Sequence, residues 1–212
     1  MTRACFPIAA LLVAAALASV LIFAPQLPET VPIHWNLRGE VDGYGPPYLL
    51  PAIMGGLLVL FRLLPWLSPK QFEIDAFRST YERILLLVIG LLGYVHGLLL
   101  LTYLGVTLEI GRWLVGGIFL MFALLGNLLG KVRRNFYLGV RTPWTIASER
   151  VWNDTHRLAA WLFVGAGVAG VLAAAAGLPL WIPWLLIPPV AIIPVVYSLV
   201  LYKRLERRGD AP

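Results

Sequence analysis

The chain has 212 residues, and 59% of them are hydrophobic while only 13% are charged. Soluble domains carry about 25% charged residues, so a short chain of this composition, with a mean hydropathy of +0.81, is expected to use the membrane as its solvent. The single cysteine, Cys5, excludes a disulfide within one chain and a metal site built on several cysteines.

Six apolar segments approach the ~20 residues that a helix needs to cross a hydrocarbon core of ~30 Å. Backbone polar groups inside lipid must be bonded within the segment, which favours helices. The sequence therefore predicts an all-α integral membrane protein, a bundle of about six transmembrane helices, with spans at residues 5–24, 48–67, 84–104, 113–130, 158–176 and 181–202.

The first apolar segment is compatible with an anchor or with a signal peptide. Ala16-Leu17-Ala18 resembles a cleavage site, but the apolar run continues past it to Phe23. We therefore expect an uncleaved anchor.

The Lys and Arg residues predict the orientation of the chain, because cytoplasmic connections carry an excess of them. Fifteen of the 17 fall on the side of the N-terminus, and only Arg38 and Arg112 fall on the other side. Both termini and residues 131–157 are thus expected in the cytoplasm, and residues 25–47 outside. The net charge of +6 follows from this topology, so no nucleic acid partner is expected.

The external connection, residues 25–47, is rich in proline, which forbids a helix there. We expect residues 31–35 to be extended and turns at Gly39 and at Asp42-Gly43, which together predict a short ordered hairpin on the outer face. The candidate binding residues of this hairpin are Pro32, His34, Trp35, Asn36, Gly39, Asp42 and Gly43.

The second connection, residues 68–83, has mixed charges and is expected to be a solvated amphipathic turn. The third, residues 105–111, is short and predicts a tight antiparallel pair of helices.

The fifth apolar segment repeats small residues every four positions, a spacing that lets helix backbones approach closely. We expect this helix to be the packing centre of the bundle, with a homodimer seam as the alternative. The two series are Gly165, Ala169, Ala173 and Ala166, Gly170, Ala174.

The sixth apolar segment carries Pro188, Pro189 and Pro194, so it must bend or break. Broken helices occur in transporters, and an ionisable residue at mid-membrane, here His96, is often functional. A neutral His96 bonded to a neighbouring helix is the simpler interpretation. Asn127, near the cytoplasmic end of the fourth segment, is expected to cap or contact the loop that follows it.

The three histidines, His34, His96 and His156, are expected outside, near mid-membrane and inside. Because they cannot meet at one ion, no metal site built on them is predicted. No cofactor is expected.

The cytoplasmic loop, residues 131–157, concentrates polar and aromatic side chains between two apolar segments. Thr142-Pro143 predicts an N-cap and a first helical residue, and the helix is expected to run on from there into the fifth span. Ser148, Trp152 and His156 would share one face of it.

Two further expectations concern the surface of this helix. Glu149 and Asn153 would form a neighbouring stripe, and Arg150 would pair with Asp154. The result would be an interfacial helix with an aromatic and polar face that leads into a membrane span.

The chemistry of the loop leaves two interpretations open. Ser148 and His156 would stand about 12 Å apart along a helix, too far for a nucleophile and its base, so no catalytic residue is assigned. Arg141 could bind an anionic group such as a lipid phosphate, or be tied to backbone carbonyls. A membrane enzyme acting on lipid headgroups remains one alternative function, and a small transporter remains another.

The loop resembles the signature of the SdpI family in its run NFYLGVRTPWT and in the Ser-Glu, Val-Trp and Thr-His pairs that follow. The external hairpin resembles the short N-terminal domain of unknown function that often precedes that signature. The loop residues concerned are Asn135, Gly139, Arg141, Thr142, Pro143, Trp144, Thr145, Ser148, Glu149, Val151, Trp152, Thr155 and His156.

The resemblance implies a multi-pass protein of the bacterial plasma membrane, without enzyme activity, that gives immunity to a sporulation-delaying toxic peptide. It also implies capture of a cytoplasmic transcriptional repressor when the toxin is present. Expected partners are membrane lipid, a peptide outside and a repressor inside. We expect an N-terminal region at residues 1–80 and an SdpI-like region at residues 81–212.

Overall fold

The computed structural model describes residues 4–209, and Arg3, which the topology prediction counts, lies outside them. The helices are α1 (Cys5–Phe23), α2 (Leu49–Leu67), α3 (Arg78–Tyr103), α4 (Ile110–Leu129), α5 (Pro143–Ala147), α6 (Glu149–Ala175), α7 (Trp181–Trp184) and α8 (Ile187–Arg207). Two strands, β1 (Val31–Trp35) and β2 (Val41–Gly45), form the one sheet found among these residues.

Within residues 4–209, six helical segments are long and apolar enough to cross a membrane: α1, α2, α3, α4, α6 and the α7–α8 pair. The predicted fold class is therefore confirmed. α3 begins at Arg78 and α6 begins at Glu149, before the apolar segments predicted from the sequence. The first turns of both helices are polar and extend beyond the hydrocarbon core. The expected boundary between residues 80 and 81 falls inside the first turn of α3.

The first three helices pack around a core of small and aliphatic side chains. Ala9, Val13 and Ala16 of α1 meet Met54 of α2 and Ile89 of α3, and all five are buried. α1 is thus an integral part of the packed bundle.

His96 lies on α3 and bonds to a neighbouring helix, as the simpler interpretation held. Its Nε2 is 2.8 Å from the hydroxyl of Ser19 on α1. The hydroxyl of Ser19 also contacts the carbonyl of Ala16 at 2.8 Å. This polar contact ties α1 to α3 inside the bundle.

α4 and α6 are in backbone contact, and glycine makes that contact possible. A Cβ on Gly167 would lie 2.3 Å from the amide nitrogen of Ala123, and one on Gly170 would lie 2.2 Å from the ring of Phe119. The series that contains Gly170 therefore packs on α4 as predicted. The series that contains Gly165 and Ala169 does not, because both residues are exposed and no atom lies within 4 Å of a Cβ added at Gly165.

The sixth span is broken, as its prolines predict. α7 ends at Trp184, and α8 starts at Ile187 after a two-residue turn. Pro188 and Pro189 stand in the first turn of α8, where a missing N–H breaks no helical hydrogen bond. Pro194 lies inside α8.

The second connection was predicted as a solvated amphipathic turn, and it is amphipathic, but its apolar side is buried in the bundle and not solvated. It folds as two 3-10 turns, Lys70–Phe72 and Ile74–Phe77. Phe72, Ile74 and Phe77 are buried, and the latter two belong to a hydrophobic cluster that includes Trp152 of α6. Charged residues separate these apolar positions in the sequence, at a spacing that suits 3-10 turns and not an α-helix. The apolar face was therefore not recognised from the sequence.

Replacing Gly170 by Leu should destabilise the protein, because the new side chain must displace Phe119, which is fully buried and packs against the ring of Trp184. Overpacking of this kind costs ~1–3 kcal/mol. Gly165→Leu is the matched control on the same helix, and removing an exposed helical glycine should leave stability unchanged or slightly higher. The measurement is the thermal unfolding midpoint of each purified variant in detergent. Equal midpoints for the two variants would contradict the packing described above.

Candidate functional site

Asn135 folds the start of the loop between α4 and α6. Its side chain is fully buried, and its Oδ1 accepts hydrogen bonds from the backbone N–H groups of Tyr137 and Leu138, both at 2.7 Å. Its Nδ2 donates to the carbonyl of Arg133 at 2.8 Å and to that of Leu138 at 3.2 Å. The hydrogen bonds of one amide side chain thus replace the backbone–backbone hydrogen bonds that this irregular segment lacks.

His156 fastens the middle of the loop to α6. Its Nε2 accepts a hydrogen bond from the N–H of Val140 at 3.0 Å, and its Nδ1 lies 2.8 Å from the carbonyl of Trp152. An N–H can only donate and a carbonyl can only accept, so the imidazole is neutral with its proton on Nδ1. Gly139 allows this approach, since its φ is +103° and a Cβ there would lie 2.1 Å from Nε2.

Trp152 stands one helical turn before His156 and stacks on its ring, with centroids 4.1 Å apart. The indole is fully buried, and its Nε1–H donates to the carbonyl of Val132 at 2.8 Å. Around it lie Ile74, Phe77, Tyr81, Ile84, Leu128 and Val132, from the second connection, α3, α4 and the loop.

Thr142 and Thr145 form a reciprocal cap at the start of α5. The N–H of Thr145 donates to the hydroxyl of Thr142 at 3.2 Å, and the N–H of Thr142 donates to the hydroxyl of Thr145 at 2.9 Å. The Thr142 hydroxyl also lies 3.1 Å from that of Ser198 on α8. The predicted start of a helix at Thr142-Pro143 is confirmed, and the cap also joins the loop to the last span.

The prediction that this helix runs on into the fifth span is wrong. α5 ends at Ala147, and Ser148 has an extended backbone with φ −126° and ψ 123°. The Ser148 hydroxyl accepts from the N–H of Val151 at 3.4 Å, so Ser148 is the N-cap of a new helix. A second capping residue followed by Glu149 in the first turn is the sequence signal of this break.

The predicted shared face of Ser148, Trp152 and His156 is present, and all three are buried. Glu149 and Asn153 are exposed beside them. The expected pair of Arg150 with Asp154 is absent within the described part of the chain, where Asp154 pairs with Arg157 instead.

Two arginines bond to carbonyls of the loop. Arg141, which lies exposed, donates to the carbonyl of Phe136 at 2.5 Å, so the interpretation that ties it to the backbone holds. Arg134 was not predicted to be a site residue from the sequence, where it entered only the count of Lys and Arg that predicts the orientation. It donates to the carbonyls of Ile146 and Ala147 at the end of α5, and it lies over the ring of Phe72.

The interlocked loop, residues 131–148, and the first turns of α6 have little capacity for acid–base or nucleophilic chemistry, because the polar groups between them are occupied. Both nitrogens of His156 are bonded to backbone, and the hydroxyl of Ser148 caps a helix. Thr155 is also fully buried, and its hydroxyl has no hydrogen-bond partner among residues 4–209. No group of three or more His, Cys, Asp or Glu suited to a metal ion is present in the same part of the chain.

On the opposite side of the bundle, Asn36 organises the hairpin in a similar way. Its Oδ1 accepts from the N–H groups of Arg38 and Glu40, at 2.9 and 3.1 Å, and its Nδ2 donates to the Glu40 carboxylate at 2.7 Å. Gly39 completes the turn with φ +83° and contacts Leu180, beyond the end of α6.

The predicted hairpin is present, but the predicted turn at Asp42-Gly43 is wrong. Both residues lie in β2, where Gly43 stands opposite His34 at an irregularity of the register. Asp42 instead holds the two strands together, because its carboxylate is 2.5 Å from Nδ1 of His34. Pro32 and Trp35 lie in β1, and the indole nitrogen of Trp35 is buried without a hydrogen-bond partner among residues 4–209.

The half of the bundle next to the hairpin has an apolar cavity of about 640 Å³ between α3, α4 and α6, which we call the outer groove after the orientation predicted from the sequence. Gly90 and Gly116 line it, and no atom lies within 4 Å of a Cβ added at either residue. Tyr94, Arg112 and Trp113 stand at its wall near the start of α4.

Asn127 was expected to cap or contact the loop, and this is wrong. Its Nδ2 donates at 3.3 Å to the carbonyl of Ala123 in its own helix, and its side chain is exposed on the outside of α4.

These features define a multi-span membrane protein with one interlocked loop at one end of the bundle and one ordered hairpin at the other. Residues 131–202 match the SdpI/YfhL protein family, and residues 10–55 match a domain of unknown function (DUF1648). The predicted resemblance is therefore confirmed: the chain is a multi-span membrane protein whose residues 131–202 are similar to the SdpI/YfhL family. Immunity protein SdpI of Bacillus subtilis (strain 168) is 27% identical over 154 residues, which are 71% of this chain and 72% of that protein. No solved structure matches the chain.

Replacing Gly139 by Ala should open the loop, because the added methyl group occupies the place of His156 Nε2 and the backbone conformation becomes strained. Strain costs ~1–3 kcal/mol, and a lost buried hydrogen bond adds a comparable amount. Gly105→Ala is the control, since Gly105 also has a positive φ, +89°, but no atom lies within 4 Å of its added Cβ.

The measurement is again the unfolding midpoint in detergent, and the Gly139 variant should lose clearly more stability than the Gly105 variant. The same loss in both would mean that the contact between the imidazole and the loop contributes nothing.

Proposed function

We propose that this protein is a membrane immunity protein, which protects the cell that makes it from a toxic peptide acting at the membrane. The observation that carries this proposal is the match to the B. subtilis immunity protein over 71% of the chain. The fold supports it, because the SdpI/YfhL match, residues 131–202, contains the whole interlocked loop, all of α6 and most of α8.

We place the peptide at the outer end of the bundle. A peptide that acts on membranes arrives from outside with apolar side chains, and the outer groove offers an apolar space beside α4. Glycine in a helix costs ~0.5–1 kcal/mol relative to alanine. Gly90 and Gly116 make no contact that requires glycine, so their cost is offset only if the empty space itself is used.

We place a cytoplasmic partner, such as a repressor, at the interlocked loop. Its polar interior is held by internal hydrogen bonds, so its outer surface is fixed in shape. That surface presents the cations Arg133 and Arg141 and the exposed ring of Phe136, with Arg150 at the start of α6 beside it. One carboxylate, that of Glu149, lies 3.8 Å from Arg133, so the surface remains basic. A rigid basic surface with one aromatic side chain suits a protein partner with an acidic face.

Two features favoured a transporter, the broken sixth span and His96, and only the first still does. The broken sixth span is present, but His96 is engaged with Ser19 between two helices of the bundle. The alternative function as an enzyme relied on the cytoplasmic loop, residues 131–157. His156 and Ser148 are already hydrogen-bonded to backbone groups there.

Deleting the gene should make the parent strain sensitive to its own spent medium, and protease treatment of that medium should remove the effect. Expression of the intact chain should restore survival. Gly116→Leu, which fills the outer groove, should restore it poorly at normal membrane abundance, whereas Gly165→Leu, on an exposed face away from the groove, should restore it fully. A deletion strain that survives as well as its parent would remove the immunity proposal.

The orientation is part of the proposal and has its own test. With Cys5 replaced by Ser, a cysteine placed at the exposed residue Glu40 should react with an impermeant thiol reagent in intact cells. One placed at Glu149 should react only after the cells are permeabilised. The opposite pattern would put the hairpin in the cytoplasm and exclude it as a contact for an external peptide.

A further inference from the structure

A second groove lies between the inner ends of α4 and α6, with a volume of about 630 Å³. It uses a different face of α6 from Trp152 and His156, and we call it the inner groove. Its wall has a polar part and an apolar part. The polar part consists of Asn127, Lys131, Asn153 and Arg157, and the apolar part includes Ala160, Trp161 and Val164.

The apolar part lies deeper in the span than the polar part. Asn153, Arg157 and Trp161 are spaced four residues apart on α6, so they form one row that runs from the helix start into the membrane. On the facing helix, Lys131 comes just after the last residue of α4. The groove is therefore polar at the level of headgroups and apolar at the level of acyl chains.

The charges at the polar end favour an anion. Lys131 has no ion-pair partner among residues 4–209, while Arg157 shares its charge with Asp154. Two cations against one carboxylate leave a net positive charge. A lipid phosphate would meet this charge within reach of long, flexible side chains.

Packing within the chain does not explain the polar side chains of the groove. Asn127 belongs to a membrane-spanning helix, yet its side chain is exposed and bonds only to the carbonyl of Ala123 among the described residues. Amides that face lipid without partners are costly. Trp161 is 73% exposed beside it, as expected of an indole at the boundary between headgroups and acyl chains.

We propose that the inner groove binds one anionic glycerophospholipid. Its phosphate is held by Lys131 and Arg157, its ester region meets the amides of Asn127 and Asn153, and one acyl chain lies along Ala160, Trp161 and Val164. The two-part wall requires both a charge and a hydrocarbon tail, which selects a phospholipid over a soluble phosphate. This site is independent of the proposed immunity function, because it shares only Lys131 with the interlocked loop and no residue with the outer groove.

The test uses the purified full-length chain in detergent and compares phosphatidylglycerol with phosphatidylcholine of the same acyl chains by native mass spectrometry. The double variant Lys131→Gln/Arg157→Gln should bind phosphatidylglycerol about 25-fold more weakly, taking about fivefold for each cation near an anionic surface. Its binding of phosphatidylcholine should be unchanged. The control is Lys203→Gln/Arg204→Gln, which removes two exposed cations near the end of α8 and should bind as the unaltered chain does.

A third variant, Gly130→Leu, tests the shape of the groove with all charges kept. Gly130 lines the groove, and no atom lies within 4 Å of a Cβ added there, so the substitution fills space without disturbing the fold. It should weaken phosphatidylglycerol binding with no change in unfolding midpoint in lipid-free detergent. Glycerol phosphate, the headgroup portion alone, should not compete.

Two results would overturn the proposal. Equal phosphatidylglycerol binding by the double variant and its control would show that lipid contact is general to the surface. Competition by glycerol phosphate at concentrations near those of the lipid would show a simple anion site with no role for the acyl chain.

Discussion

The structure of the SdpI/YfhL region depends on one imidazole ring. His156 accepts a hydrogen bond from the loop backbone at Val140 and is next to the carbonyl of Trp152, so a single neutral tautomer satisfies both partners. Protonation of Nε2 would remove its acceptor and leave a buried N–H without a partner. Trp152 adds a second anchor one helical turn away, through its bond to Val132. Two successive turns of α6 therefore fix the beginning and the middle of the loop.

The remaining contacts extend this anchoring to other parts of the chain. Thr142 reaches Ser198 on α8, and Arg134 lies over Phe72 from the connection between α2 and α3. The end of the bundle that holds the loop is thus one packed unit made of two connections and parts of several helices. The hairpin end uses the same kind of contact on a smaller scale, because Asn36 and a glycine at positive φ organise the hairpin turn as Asn135 and Gly139 organise the loop.

Patterns that act through a single local interaction could be predicted from the sequence. The spans follow from hydrophobic length, the cap at Thr142-Pro143 from side-chain chemistry, and the shared face of Ser148, Trp152 and His156 from helical spacing. Features that depend on contacts between residues far apart in the sequence could not be predicted. Small residues occur in two parallel series on α6, and only the position of α4 decides which one is buried. Likewise, Arg134 and Phe72 lie in different connections, so their contact has no signal in the spacing of the sequence.

The same glycines explain both the tight centre of the bundle and the grooves beside it. At Gly126 and Gly167 the backbones of α4 and α6 approach so closely that no side chain fits between them, and at Gly170 the ring of Phe119 takes the place of a side chain. Side chains beside such a contact must point away from it, and this leaves space on the flanks that the chain does not fill. In the outer groove the space is apolar, and in the inner groove it has two cations at its edge. Close packing of one helix pair is therefore flanked by two cavities of different chemistry, and for this reason we propose a different kind of ligand for each.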